Sequence, residues 1–217
     1  MTELGIAEVL DLGQLQKILE DFSEATGLAS VAVDARGVPV TPTFAFTDFC
    51  REMRSDPIRS KLCYGCDAHG GLQSLIEGSP QVYRCHAGLV DFSVPVTEGD
   101  KYVGAILCGQ VRVPRAEEPR FLTAGSTWRG QGQLDAKYDE VPMSTLTRVA
   151  AAAKTLFGLS RVLDGVRVRR RIDPAPLAAE VVAPSRPLLT LVPLPRTQLE
   201  KVAPKPAPSS VLRDALD

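Results

Sequence analysis

The chain has 217 residues, 44% of them hydrophobic and 24% charged, which is close to the make-up of an ordinary soluble domain and sufficient for one sizeable core with extensions. Its 25 basic and 26 acidic residues leave a formal charge of −1, so no global field gathers polyanions and non-specific nucleic-acid binding is not expected. Residues 1–12 lack a basic n-region, and no run approaches the roughly 18 apolar residues of a spanning helix; a cytoplasmic protein without a membrane span is expected.

In chain order, Asp11 to Gly27 reads as an amphipathic helix, with Asp11 and Gln14 at its start, Leu15, Ile18, Leu19 and Phe22 at helical spacing, and Gly27 at its end. Leu28 to Asp34 and Val38 to Val40, joined by the turn Ala35-Arg36-Gly37, read as a hairpin. Thr47 to Gly78 returns to a helical pattern in two pieces that part at Asp56-Pro57, because proline is accepted at a helix start and not inside one. Gly70-Gly71 weakens the second piece. Three apolar runs follow, Gln81 to His86, Leu89 to Val96 and Tyr102 to Val113, the last two joined by Glu98-Gly99-Asp100-Lys101, and they predict an antiparallel meander. The sum is an α+β domain over residues 1–113: a five-stranded antiparallel sheet with its helices on one side.

Residues 114–142 read as a polar connector with a short helix around Phe121. Two seven-residue series, Leu146, Ala153, Ser160 and Arg167 with Val149, Leu156 and Leu163, predict a long coiled-coil-like helix over 143–171. It would join two copies into a homodimer, or pack on its own domain. Its basic end, Arg167 to Arg171, suits the negative pole of the helix dipole better than nucleic acid. Residues 172–217 form the last segment; from Asp173 on there is no glycine, cysteine or aromatic residue, and nine of the seventeen prolines lie there, a composition that predicts a disordered tail.

The chemistry-bearing residues are five cysteines. Cys63-Tyr-Gly-Cys66 has the two-residue gap that lets both sulfurs reach one metal, and Cys50 and Cys85 are the candidates to complete a four-sulfur site for zinc or an iron–sulfur cluster, with His69 and His86 in reserve. Buried small hydrophobes and a redox pair at Cys63 and Cys66 are the alternatives. Cys108, in the apolar run Val103 to Gly109, reads as core. No G-x-S-x-G, phosphate-binding glycine loop or H-E-x-x-H motif is present, so no enzyme is expected.

Phe49-Cys50, Leu62-Cys63-Tyr-Gly-Cys66-Asp67, Tyr83-Arg-Cys85-His-Ala-Gly88-Leu-Val-Asp91-Phe, Val94-Pro-Val96 and Gly104-Ala-Ile-Leu-Cys-Gly-Gln110 together resemble the PocR sensory domain over residues 12–113. The resemblance implies a PAS-like fold of bacterial signalling proteins that binds small hydrocarbon derivatives, such as propanediol or glycerol, without turnover. The family's cysteine motifs are matched by Cys50, Cys63, Cys66 and Cys85. Regulators of the family carry a helix-turn-helix output domain and kinases a catalytic one; here a proline-rich tail follows the long helix, so the output is expected to run through a partner signalling protein. Phe44, Phe46, Phe49, Tyr83 and Phe92 are the candidates for the apolar walls of a ligand pocket, with His86 reaching the ligand; core aromatics are the alternative.

Overall fold

The computed structural model describes residues 5–162. After a single turn of helix, α1 (Ile6–Val9), comes α2 (Leu12–Thr26). The Asp11 carboxylate accepts from the Gly13 and Gln14 N–H groups, and Gly27, at φ 71°, closes the helix in the left-handed conformation, which glycine adopts without steric cost. Helices α3 (Asp48–Ser55) and α4 (Pro57–Glu77) part where the sequence predicts. Asp56 is extended there, its carboxylate caps Ile58 and Arg59, and Pro57 opens α4.

Four strands, β1 (Ala29–Asp34), β2 (Gln81–Arg84), β3 (Val90–Glu98) and β4 (Lys101–Val111), form one antiparallel sheet in the order β1-β4-β3-β2. The expected fifth strand at Val38 to Val40 is not a strand. The chain does run along the outer edge of β1, but it touches it only through isolated bridges, Val33 to Pro39 and Ser30 to Phe44. Pro39 and Pro42 have no N–H to give a ladder, and where the ladder is interrupted the Thr41 hydroxyl accepts from the Ala32 N–H at 3.0 Å.

Helices cover both faces of the sheet, not one. On one face α2 lies against β1, and α6 (Leu146–Val162) lies across β3 and β2; on the other, α4 crosses β1, β2, β3 and β4. Central strand β4 is accordingly buried at every position from Val103 to Val111, the uninterrupted pattern of a strand covered twice. Gly70 and Gly71 have a packing role in α4: a Cβ at Gly70 would stand 2.6 Å from the Tyr83 hydroxyl, and one at Gly71 would stand 2.7 Å from the Ala105 Cβ. Their lack of a side chain lets α4 lie close on the sheet. Deeper in that contact, the Ser74 and Ser93 hydroxyls meet and both reach the Gly70 carbonyl.

Residues 114–162 are built into the same compact unit as the residues before them. No helix forms around Phe121; Phe121 instead bridges Arg84 at the free edge of β2, and the Leu122 N–H donates to the Arg84 carbonyl at 3.0 Å. A 3₁₀ turn at Arg115–Glu117 and α5 (Gln133–Asp139) are the helical pieces of this segment. α6 begins at Leu146, later than expected, because Met143 and Ser144 run beside Arg112 and Thr145 caps the helix through Arg148 N–H. Its stripe Val149, Ala153 and Leu156 is at most 1% exposed and joins one core cluster with Phe92 and Val94, so these three residues of the heptad series are used within their own domain. Residues 163–171 of the expected helix and the expected tail lie outside the described residues.

Candidate functional site: a cysteine-lined cavity

Between α3, α4 and the sheet lies a cavity of about 40 Å³. It has room for roughly three waters, at 10–15 Å³ each. Val31, Phe46, Met53 and Leu107 give it apolar walls, and Cys50, Cys63, Cys66, Cys85, His86, Arg54, Asp67, Asp91 and Gln110 converge on it. An apolar hollow with a few directed polar groups is the form of a small-ligand site. A second cavity of about 250 Å³, between α2, the end of α4, α6 and strands β3 and β4, is lined by Leu15, Ile18, Leu75, Val96 and Phe157 together with the polar Asp11, Thr97, Ser160 and Arg161.

Each polar side chain owes its aim to a local feature. The β3 and β4 register slips between Val90 and Asp91, and the extra residue, Gln110, takes a left-handed φ of 58°. Such a bulge re-aims what it carries: the Gln110 N–H donates to Asp91 Oδ1 at 2.7 Å, while its Oε1 accepts from the Thr47 N–H at 3.1 Å at the start of α3. Arg54 of α3 and Asp67 of α4 meet at 2.6 Å, with side chains 17% and 9% exposed. His86 uses both ring nitrogens, Nε2 at 3.2 Å from Cys63 Sγ and Nδ1 at 2.8 Å from Ser126 Oγ. Cys66 Sγ lies 2.9 Å from Thr123 Oγ1 and accepts from the His86 N–H.

A family model described as the sensory domain found in PocR matches residues 8–164. The chain belongs to the PocR sensory-domain family. The regulatory protein PocR of Salmonella typhimurium strain LT2 is 39% identical over 151 residues, which are 69% of this chain and 50% of that protein. The chain thus spans about half the length of the curated relative it matches. No solved structure matches it. The PocR match runs through residues 114–162, past the boundary expected at 113, and takes in the segment that supplies Thr123 and Ser126 to the site. No described helix is long and apolar enough to cross a membrane.

The four candidate metal cysteines of the PocR domain do line one cavity. Their sulfurs are not gathered around a common point: Cys63 is turned to His86 and Cys66 to Thr123, and among the described residues no group of three His, Cys, Asp or Glu is disposed to hold a metal ion. Burial pushes the Cys63 thiol up to about 12 and raises Cys50, Cys66 and Cys85 as well, so the thiols here are neutral at pH 7 and poor nucleophiles. Cys108 packs in the core on the α2 and α6 side of the sheet. His69 is exposed.

Of the candidate ligand residues, Phe46 and His86 line the cavity. Phe44 and Phe92 pack on the opposite face, since Phe92 alternates with Asp91 along β3. Phe49 sits behind the cavity, between Trp128 and Tyr138, and the Tyr83 ring lies against Gly70. Arg54, Asp67 and Gln110 are site residues that spacing did not single out; Asp91 had a signal, an acid inside the apolar run Leu89 to Val96.

Burial raises the Asp91 carboxyl from 3.8 to about 6 and lowers His86 from 6.5 to about 4, with Arg54 as a second cause. The signs oppose. A raised acid binds its proton more tightly folded than unfolded, so the Asp91 contribution to stability is lowest above pH 6 and grows as pH falls toward 3.8; a lowered histidine loses stability as pH falls from 6.5 to 4. Asp91→Asn is expected to remove only the first effect. Urea titrations at pH 7 and pH 4 are expected to show wild type gaining about 2–3 kcal/mol on the variant at the lower pH, since each tenfold difference in proton affinity between the folded and unfolded chain is worth about 1.4 kcal/mol. An unchanged difference would mean that Asp91 is solvated.

Proposed function

We propose that this PocR domain binds a small neutral hydrocarbon derivative, such as a short diol, in the cysteine-lined cavity, without turnover, and passes the signal to a partner signalling protein. The observation that carries the reading is the cavity itself: apolar walls, converging polar groups and a size of about 40 Å³, which suits a ligand of a few non-hydrogen atoms. Neutral thiols and an imidazole held below its usual range give it little to run acid–base or nucleophilic chemistry with at pH 7. Output through α6 is supported by its packing on β3, the strand that carries Asp91. A second copy of the chain would use a face of α6 other than its buried stripe, for example the exposed Leu159.

The rival is a domain in which Cys50, Cys63, Cys66 and Cys85 hold zinc or an iron–sulfur cluster, favoured by the four sulfurs sharing one cavity. Thermal melts with C2 to C4 alcohols and diols, paired with elemental analysis of anaerobically purified protein, separate the two. Ligand at 100 times its Kd is expected to add about 2.7 kcal/mol of stability, with no stoichiometric metal required for folding. A melting temperature that no alcohol moves, and that collapses when bound zinc is chelated, would replace the small-ligand reading with the metal one.

A further inference from the structure

Arg54 and Asp91 stand out among the groups facing the cavity because each has hydrogen-bonding capacity left over. Arg54 commits one arm of its guanidinium, Nη2, to Asp67 Oδ2 at 2.6 Å, and its plane is held over the rings of Phe46 and Tyr64, 5.3 and 5.5 Å from their centroids. Its other arm, Nη1, is buried without a hydrogen-bond partner. A buried, charged donor left unpaired is costly, and native structures keep such groups where something else completes them.

Asp91 is the complementary pole. Its Oδ1 accepts from the Gln110 N–H and the nearby Cys85 thiol favours its charged form, whereas a carboxylate has about four lone-pair sites. No salt bridge to Asp91 exists among the described residues, while the charge of Arg54 is already matched by Asp67. The cavity as a whole therefore carries one uncompensated carboxylate, which repels an anionic ligand and favours one that donates hydrogen bonds. The strained Gln110 supports the assignment, because the chain holds a non-glycine residue at positive φ to keep Asp91 aimed.

Building on the small-ligand reading above, we propose that Arg54 and Asp91 are the two polar poles of the binding site. Arg54 Nη1–H donates to one hydroxyl of the ligand and Asp91 accepts from another, so the site selects a small neutral molecule with two hydroxyl groups over a mono-alcohol or a carboxylate. Val31, Phe46 and Leu107 then wall the carbon skeleton between the poles.

The test is a calorimetric titration of the full chain with 1,2-propanediol, 1-propanol and propanoate, on wild type, Asp91→Asn and the double variant Arg54→Met/Asp67→Asn, which removes both charges of the buried pair together. Wild type is expected to bind the diol at least about tenfold more tightly than 1-propanol, about 1.4 kcal/mol, and propanoate not measurably. Each variant is expected to lose about tenfold for the diol and to keep its affinity for 1-propanol. Diol affinities within twofold of wild type in Asp91→Asn, which retains the size and one acceptor of the side chain, would overturn the assignment while leaving the small-ligand reading intact. Tighter binding of propanoate than of the diol would overturn it as well. No binding of any alcohol to wild type would overturn both.

Discussion

Arg54→Met is expected to lower the stability of the domain by about 3–5 kcal/mol, and adding Asp67→Asn to recover most of the loss. The asymmetry follows from burial. Asp67 is drawn up from its ordinary value by desolvation even though Arg54 pulls it back, so the pair's mutual attraction does not outrun the cost of taking the carboxylate out of water. Removing Arg54 alone leaves that carboxylate without its partner at 2.6 Å, in a side chain only 9% exposed. Removing both charges leaves two groups of similar size with no charge to desolvate and only a neutral amide, which is far less costly to bury than a carboxylate. Urea denaturation with an unchanged m-value reads this directly; a single-variant loss below about 1 kcal/mol, the range of exposed pairs, would show that water reaches the pair.

Phe49→Ala is expected to cost about 3–5 kcal/mol, the range for emptying a buried aromatic site, and to change the environment of the chain's single tryptophan. Phe49 is fully buried and meets Trp128 edge-on at 4.8 Å and Tyr138 at 5.3 Å. Trp128 in turn donates from Nε1 to the Ala87 carbonyl at 3.0 Å, next to His86. Through these contacts α3, α5 and the loop before α5 close the back of the cavity as one cluster. A red shift of tryptophan emission at fixed native secondary structure is the expected signature. An unshifted spectrum with a loss under about 1 kcal/mol would mean that residues 118–139 are not part of the site's wall.

The helices were legible because their punctuation is local. Asp11, Gly27 and Asp56-Pro57 act within one turn of their own backbone, and each sits where the sequence places it. The meander was legible for the same reason, its last hairpin closing through Gly99 and Asp100 between Glu98 and Lys101. The edge beside β1 is misleading in sequence because Val38-Pro-Val40 has the apolar character of a strand while its prolines withhold the donors a strand needs.

The placement of helices on both faces depends on how α6 returns to the sheet, a long-range contact that periodicity does not encode, although the unbroken apolar run of β4 carried the signal. In the site, the resemblance of the cysteine motifs pointed to Cys50, Cys63, Cys66 and Cys85, which line one cavity while Cys63 and Cys66 turn to His86 and Thr123. The face taken by Phe92 follows from its alternation with Asp91, which only an assigned register reveals. Gln110 was invisible because its role rests on a bulge at Gly109-Gln110, and the Arg54–Asp67 pair because it joins two helices across a break.

In the proposed mode of action, the PocR sensory domain receives a small ligand between α3, α4 and the sheet. A ¹³C-methyl NMR titration of the full chain with 1,2-propanediol tests it most directly. Saturable shifts are predicted at the methyls of Val31, Met53 and Leu107, which line the cavity, with little change at Leu15, Ile18 and Leu75. Shifts confined to Leu15, Ile18 and Leu75, which line the larger cavity beneath α6, or no saturable shifts at all, would contradict it.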